Sequence, residues 1–188
     1  MHEAWRHPEL IVPDLVCVAV CLVATATDIK ARRIPNWLTL PAVVAGLLLN
    51  TLLPALSSSS GVTVRIGLVS SVTGGMLLLL TFGFLGFINF VGMGDVKLMA
   101  AVGTLLRWPT ALWALAYVAI MGGAIAVAYT LAGGRLGAVF GNLVTLGRRL
   151  GRKEKPAVEL HRIPYALAVL LGACWAAAIK YFPALALP

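Results

Sequence analysis

Six apolar runs occupy most of this chain, and they constrain its fold more than any other feature does. They cover about residues 10–27, 37–54, 66–90, 95–107, 110–132 and 163–182. Most of these runs are long enough to cross a hydrocarbon core of about 30 Å as a helix. With 60% hydrophobic and only 12% charged residues, the chain is too apolar for a soluble domain, in which about 25% of residues are charged. We therefore predict an all-α polytopic membrane protein, with about six transmembrane helices in one membrane domain, 1–188.

The fourth run is too short to cross the membrane on its own. Its thirteen residues, at about 1.5 Å each, give a helix of only about 20 Å. It follows Gly92 and Gly94, opens at Asp95 and stops at Arg107. A short run with a charged start that is broken by glycine indicates irregular backbone beside a water-accessible cavity, where such backbone is tolerated at membrane depth. We therefore predict a short fourth helix that is broken by glycine at its cytoplasmic start.

Basic residues indicate the orientation of the chain. With the N-terminus outside, ten Lys and Arg residues fall in the 28–36 and 133–162 loops, against four on the outer face. The positive-inside rule then predicts that both termini lie outside. The basic residues flank apolar runs without interleaved aromatic residues, so nucleic acid is not an expected partner. The excess of basic residues instead indicates anionic lipid as a partner of the inner face.

The 133–162 loop contains a second pattern. Leu136, Val139, Phe140, Leu143, Leu146 and Leu150 recur at helical spacing before a basic cluster. This spacing predicts a basic amphipathic helix on the inner leaflet, and a plain linker is the alternative. Elsewhere, Gly74-Gly75 and Gly122-Gly123 are pairs of small residues that permit close helix approach.

Among seven acidic residues, two stand at positions where chemistry is expected. Asp28 closes the first run and Asp95 opens the fourth, so an odd number of crossings brings both to the same leaflet. Two carboxylates at one depth can share a proton, as in aspartic proteases. The alternative is that Asp28 only caps a helix and Asp95 pairs with Lys97. By contrast, Asp14 is expected to sit in the outer interface and to favour the start of the first helix.

The residues around each aspartate are equally distinctive. Residues 28–39 read D-I-K-A-R-R-I-P-N-W-L-T, and residues 92–98 read G-M-G-D-V-K-L. Pro35 biases the residue before it to extended backbone, and Asn36 is a good N-cap for the second helix. Gly92 and Gly94 let the backbone bend and let a substrate strand approach. The sequence therefore predicts a rigid basic turn beside one carboxylate and a flexible backbone beside the other.

These two segments resemble the type IV prepilin peptidases, the bacterial branch of the GxGD intramembrane aspartic proteases. The resemblance implies that Asp28 and Asp95 are the catalytic pair, that Gly92, Gly94, Pro35 and Asn36 shape the site or bind substrate, and that Lys97 is an accessory residue. It implies a protease of the bacterial inner membrane that removes the short basic leader from pilin precursors at the cytoplasmic face. The pilin precursor is then the protein substrate.

The chain departs from full-length members of that family. Only about nine residues precede the first run, and there is no cysteine cluster, so we do not expect the cysteine-rich methyltransferase insert. The short form resembles the peptidases of tight-adherence (Flp-type) pili, and N-methylation is not expected. No cofactor is expected and no metal either, because His, Cys and acidic residues do not occur at ligand spacing. Cys17, Cys21 and Cys174 are predicted to be small buried residues.

Other classes of membrane protein compete with the peptidase. A small proton- or ion-coupled transporter, or an assembly scaffold, would use the same two aspartates as an ion site. Transporters often have broken helices in matching halves, and only one broken run is found here. A lipid-modifying transferase would need a denser acidic or histidine site, and a serine intramembrane protease would need a histidine within the apolar runs.

Overall fold

A computed structural model of the protein describes residues 11–57, 61–88, 91–132 and 165–181. Across these ranges the chain forms six α-helices and no strand. The helices are α1 (Ile11–Ala31), α2 (Asn36–Ser57), α3 (Gly61–Phe87), α4 (Met93–Leu106), α5 (Thr110–Ala132) and α6 (Tyr165–Tyr181). The 133–162 loop, with its predicted amphipathic helix, lies outside the described residues.

Four of the helices are long and apolar enough to cross a membrane. The qualifying segments are Ile11–Ala31, Asn36–Leu56, Arg65–Phe87 and Thr110–Ala128. The other two are shorter, with 14 residues in α4 and 17 in α6. The predicted fold class, an all-α polytopic membrane protein with a short fourth helix, is confirmed.

The short helix α4 lies at the centre of the bundle and contacts all five of the other described helices. Its buried residues are Val96, Leu98, Met99, Ala101, Val102, Gly103, Thr104, Leu105 and Leu106. Because protein surrounds α4, it does not need the length of about 20 residues that a lipid-exposed span requires. The core of the molecule is therefore built around its shortest helix.

Glycines let α3 approach α4 closely. A Cβ atom added at Gly74 would lie 2.5 Å from the Gly103 carbonyl oxygen, and one at Gly75 would lie 2.5 Å from the Thr104 Cγ2. No side chain fits at such distances, so the predicted close approach at Gly74-Gly75 is confirmed. Of the second predicted pair, Gly122 packs on a tyrosine ring, whereas a Cβ at Gly123 would meet nothing within 4 Å.

Polar side chains hold the C-terminal end of α4. The Asn50 amide nitrogen donates to the carbonyls of Thr104 and Leu105 at 2.8 and 3.2 Å. The Ser71 hydroxyl donates to the Thr104 carbonyl at 2.7 Å. Carbonyl groups in the last turn of a helix lack partners within it, and here α2 and α3 supply them. This end of α4 is thus fixed by hydrogen bonds as well as by packing.

The helices alternate in direction, which gives the bundle two distinct ends. At one end α1, α3 and α5 terminate and α2, α4 and α6 begin. We call this the site end, because Asp28 and Asp95 belong to it, and we call the opposite one the far end. Thr25 of α1, one turn before Asp28, donates to the Ala166 carbonyl of α6 at 3.1 Å, so the site ends of α1 and α6 are in direct contact.

The far end contains a buried ion pair. Asp14 is 4% exposed, and its Oδ2 accepts hydrogen bonds from the Lys180 Nζ and the Tyr181 hydroxyl, each at 2.6 Å. Asp14 lies in the first turn of α1, as expected of a charge that favours the helix start, but it is buried in an ion pair with Lys180. Lys180 is 166 positions away from Asp14 in the sequence, and the two side chains meet because α1 and α6 pack side by side. The pair joins the two helices at this end.

Candidate active site

Asp28 lies in the last turn of α1, where its side chain is partly exposed. Its carbonyl accepts a hydrogen bond from the Arg32 amide at 2.8 Å. Arg32 has a φ of 50°, which is the left-handed conformation that ends helices. The exposed side chains of Lys30, Arg32 and Arg33 surround this helix end. Asp28 therefore lies where the chain leaves the bundle, in a basic turn.

The second half of the turn is organised by Pro35. The Pro35 carbonyl accepts hydrogen bonds from the amides of Leu38 and Thr39 at 3.1 and 3.4 Å. Asn36 is the first residue of α2, and its side-chain oxygen accepts a hydrogen bond from the Lys97 Nζ at 3.0 Å. The predicted N-cap role of Asn36 is therefore wrong. Pro35 takes the position before the helix, which leaves the Asn36 side chain to bind α4.

Asp95 lies in the first turn of α4 and is also partly exposed. The helix is preceded by Gly92 in extended conformation, with φ −68° and ψ 144° and no side-chain cap. A Cβ atom added at Gly92 would lie 3.1 Å from the Asp95 Oδ2. Glycine at position 92 thus leaves the space that the Asp95 carboxylate occupies.

The two sequence motifs meet in the structure. A Cβ atom at Gly94 would lie 3.3 Å from the Ile34 Cβ, so glycine lets the turn after α1 rest on the start of α4. The Lys97–Asn36 hydrogen bond joins the same two segments. Segments about sixty residues apart in sequence therefore form one surface at the site end, with a carboxylate in each.

The structure adds a residue that the sequence did not single out. Tyr165 opens α6 at the same end of the bundle as Asp28 and Asp95. Its ring lies 6.0 Å from that of Phe82 on α3. The sequence could have pointed to Tyr165 only by its position, near the start of the last apolar run and at the depth predicted for both aspartates.

The chemistry available at this end is that of carboxylates. Over the four described segments, no three His, Cys, Asp or Glu side chains are grouped so that they could hold a metal ion. Cys17 and Cys21 are fully buried, as predicted for small core residues, whereas Cys174 is only partly buried. Glu154 and Glu159 lie outside the described residues. Partly exposed carboxylates can exchange protons with water and with a bound substrate.

Known proteins show two kinds of similarity to the chain. The sequence profile of the Type IV leader peptidase family matches residues 15–127, a segment that contains both motifs. The prepilin leader peptidase/N-methyltransferase of Burkholderia pseudomallei is 30% identical over 121 residues, which are 63% of this chain and 37% of the relative. No solved structure matches the chain significantly.

Two further relatives have the same name. That of Dickeya chrysanthemi is 29% identical over 55% of this chain and 36% of its own length. That of Klebsiella pneumoniae is 32% identical over 50% of this chain and 40% of its own length. The chain thus spans less than half the length of the curated relatives that it matches. Because the family profile matches more than half of the chain, and both motifs lie within the match, the protein belongs to the Type IV leader peptidase family.

Proposed function

We propose that the chain is a membrane-embedded aspartic endopeptidase that removes the short basic leader from type IV pilin-like precursors. The family membership supports a peptidase, and the names of the relatives support a prepilin as the substrate. The observation that carries the proposal is the contact between the two motifs. The Lys97–Asn36 hydrogen bond and the packing of Gly94 on Ile34 bring the Asp28 turn to the helix that bears Asp95.

The proposed mechanism divides two roles between Asp28 and Asp95. The ionised carboxylate takes a proton from a water molecule as the water oxygen attacks the scissile carbonyl carbon. The protonated carboxyl gives its proton to the carbonyl oxygen, and a tetrahedral diol results. The diol then collapses: one of its hydroxyls gives a proton to the ionised carboxylate as the C=O bond re-forms, the C–N bond breaks, and the leaving amine takes a proton from the dyad. Two carboxylates that share one proton supply both roles and titrate as a unit.

The surroundings of the carboxylates suit this chemistry. Both side chains are partly exposed, so water and an extended substrate can reach them. Gly92 leaves space for the Asp95 carboxylate, and Gly94 lets the turn after α1 rest on the start of α4, so both glycines shape the site. Neither Lys97 nor Asn36 is a proton donor or acceptor in this scheme, and both hold the two segments together.

The protein is proposed to lie in the bacterial inner membrane with both termini outside and the site end facing the cytoplasm. Four apolar helices and the family indicate a multi-pass inner-membrane protein. The orientation rests on the distribution of basic residues. The 133–162 segment is proposed to bind anionic lipid, at about 1 kcal/mol for each Lys or Arg near the surface.

Leader cleavage by the purified protein tests the proposal. The protein is reconstituted in nanodiscs with a pilin-like precursor, and the products are identified by mass spectrometry. The wild type should release the leader. The Asp28→Asn and Asp95→Asn variants should each lose about 10²–10⁴-fold in rate, the usual range for removing a general acid or base. Both variants should insert and melt like the wild type, because each keeps the shape of its side chain.

Two outcomes would count against the proposal. A folded wild type that leaves the precursor intact would favour the transporter or scaffold alternative, in which the same aspartates bind a proton or an ion. Near wild-type turnover by either Asn variant would show that the cleavage does not depend on the pair.

A further inference from the structure

The outward face of α2 is exposed and apolar from the site end towards the middle of the helix. The buried residues of α2 lie on the opposite face, where Gly46 and Asn50 contact α4. The exposed residues recur every three or four positions and are Trp37, Leu40, Val44 and Leu48. A groove of about 570 Å³ on this face is lined by Leu40, Pro41, Val43, Val44, Ala45 and Leu48. We call it the α2 groove. It begins one turn from Asn36, a residue of the site surface, and therefore continues that surface along α2.

Pro41 leaves a polar group at the start of the α2 groove. Within an α-helix the amide of residue 41 would donate to the carbonyl of residue 37, but proline has no N–H. The Trp37 carbonyl therefore lacks its usual donor in the helix. A backbone acceptor at membrane depth needs a donor from protein or water, because lipid chains cannot supply one. Trp37 and Pro41 are both exposed, so a peptide can reach this position.

The second proline within α2 shows how the fold treats the same defect elsewhere. Pro54 removes the helical donor of the Asn50 carbonyl in the same way. There α3 lies directly against the carbonyl: a Cβ atom at Gly67 would collide with the Asn50 carbonyl oxygen. At Pro41, by contrast, α2 alone lines the groove in the part of the chain that the structure describes. The position beside the site surface is thus the open one.

We propose that the α2 groove binds the precursor on the mature side of the scissile bond, with the Trp37 carbonyl accepting a hydrogen bond from a substrate amide. This inference rests on the proposed function. An extended chain at a scissile bond has N–H groups that need acceptors, and the Trp37 carbonyl offers one. The leader is short and basic, whereas the groove is lined by apolar residues only. The segment that fits it is therefore an apolar stretch that follows the cleaved bond.

Filling the groove tests the proposal through substrate binding. Val44→Trp should raise KM for leader cleavage about tenfold and leave kcat within about twofold, because an interaction made equally in the ground state and the transition state appears in KM. Val69→Trp is the matched control, since Val69 is an equally exposed valine on α3. It should leave both constants within about twofold. An unchanged KM in Val44→Trp, or an equal rise in Val69→Trp, would overturn the proposal.

A proline substitution tests the carbonyl separately from the groove. Pro41→Ala supplies the missing amide, so the Trp37 carbonyl is bound within the helix and is lost to the substrate. The variant should lower kcat/KM about fivefold without lowering the melting temperature, since alanine favours a helix. Pro54→Ala is the control and should leave kcat/KM within about twofold. Equal kcat/KM in Pro41→Ala and the wild type would overturn the proposal.

Photo-crosslinking tests the contact without relying on cleavage. We would place p-benzoylphenylalanine at position 44, or at position 69 as the control, and irradiate the protein in nanodiscs with a pilin-like precursor. The precursor should crosslink at position 44 only, through residues that follow its leader. Crosslinks at position 44 to lipid, to a second copy of this chain or to the leader alone would overturn the proposal even if cleavage is confirmed. The expected crosslink without any cleavage would confirm the groove and place the fault in the proposed function.

Discussion

At the far end of the bundle Asp14 is 4% exposed and bound by Lys180 and Tyr181, whereas at the site end Asp28 and Asp95 are partly exposed. A buried carboxylate needs a paired cation to offset its lost hydration. An aspartate that activates water must instead stay accessible to solvent, since the water molecule has to reach its carboxylate. The comparison suggests that this protein uses acidic residues for two different purposes, one structural and one chemical.

The two ends of α4 show the same difference on one helix. Its far end is held by Asn50 and Ser71 and packed against glycine. Its site end begins after an extended Gly92 with no side-chain cap. The far end of α4 is thus fixed by hydrogen bonds from α2 and α3, whereas its start has no side-chain cap and leaves Asp95 partly exposed. Rigid support behind a reactive group is what a catalytic arrangement requires.

Breaking the far-end ion pair should give the largest effect on stability. Lys180→Met leaves the Asp14 carboxylate buried without its cation, which should cost about 3–5 kcal/mol in the free energy of unfolding. Thermal denaturation in detergent measures the loss. The specific activity of the protein that remains folded should stay within about twofold, because the pair lies at the end opposite Asp28 and Asp95.

The matched control for this variant removes both charges. Asp14→Asn combined with Lys180→Met should recover part of the lost stability, since no unpaired charge stays buried. A loss of specific activity in folded Lys180→Met would contradict the separation of a structural far end from a chemical site end, because it would show that the far end influences cleavage.

Filling the space beside Asp95 should affect activity more than stability. In Gly92→Ala the new Cβ would lie 3.1 Å from the Asp95 Oδ2, so the carboxylate must move by a few tenths of an ångström. A displacement of about 1 Å can cost about 10²-fold in rate, and about tenfold is expected here. Gly83→Ala is the control, since a Cβ at Gly83 meets nothing within 4 Å. Equal rates in the two variants would show that the space at Gly92 is not used.

Sequence alone predicted those features of the fold that depend on the lengths of the apolar runs and on their order along the chain. The shortness of the 95–107 run predicted a helix too short to span the membrane, whereas the burial of that helix at the centre of the bundle was not predicted. The parity of the crossings predicted that Asp28 and Asp95 share one end. Each of these inferences needs only the local composition and the number of crossings.

The contacts that the sequence did not predict depend on which helix faces meet, and no local sequence pattern encodes this pairing. Asp14 and Lys180 each look like an ordinary interfacial charge until α1 and α6 are placed side by side. Gly74-Gly75 predicted a close approach, but not that α4 would be the partner. Asn36 has the chemistry of an N-cap, and only the position of Lys97 shows that its side chain is used elsewhere. Tyr165 was missed for the same reason.

The smallest expected effect concerns the contact that joins the two motifs. Lys97 and Asn36 are linked by one hydrogen bond of 3.0 Å between exposed groups, which is worth about 1 kcal/mol. Lys97→Met and Asn36→Leu should therefore each lower kcat about fivefold. If both act by holding the Asp28 turn against α4, the double variant should lose little more than either single one, and the double-mutant cycle should give a coupling of about 1 kcal/mol. Additive losses would show that Lys97 and Asn36 act separately, for instance by binding the leader. The packing of Gly94 on Ile34 would then be the contact that holds the Asp28 turn against the start of α4.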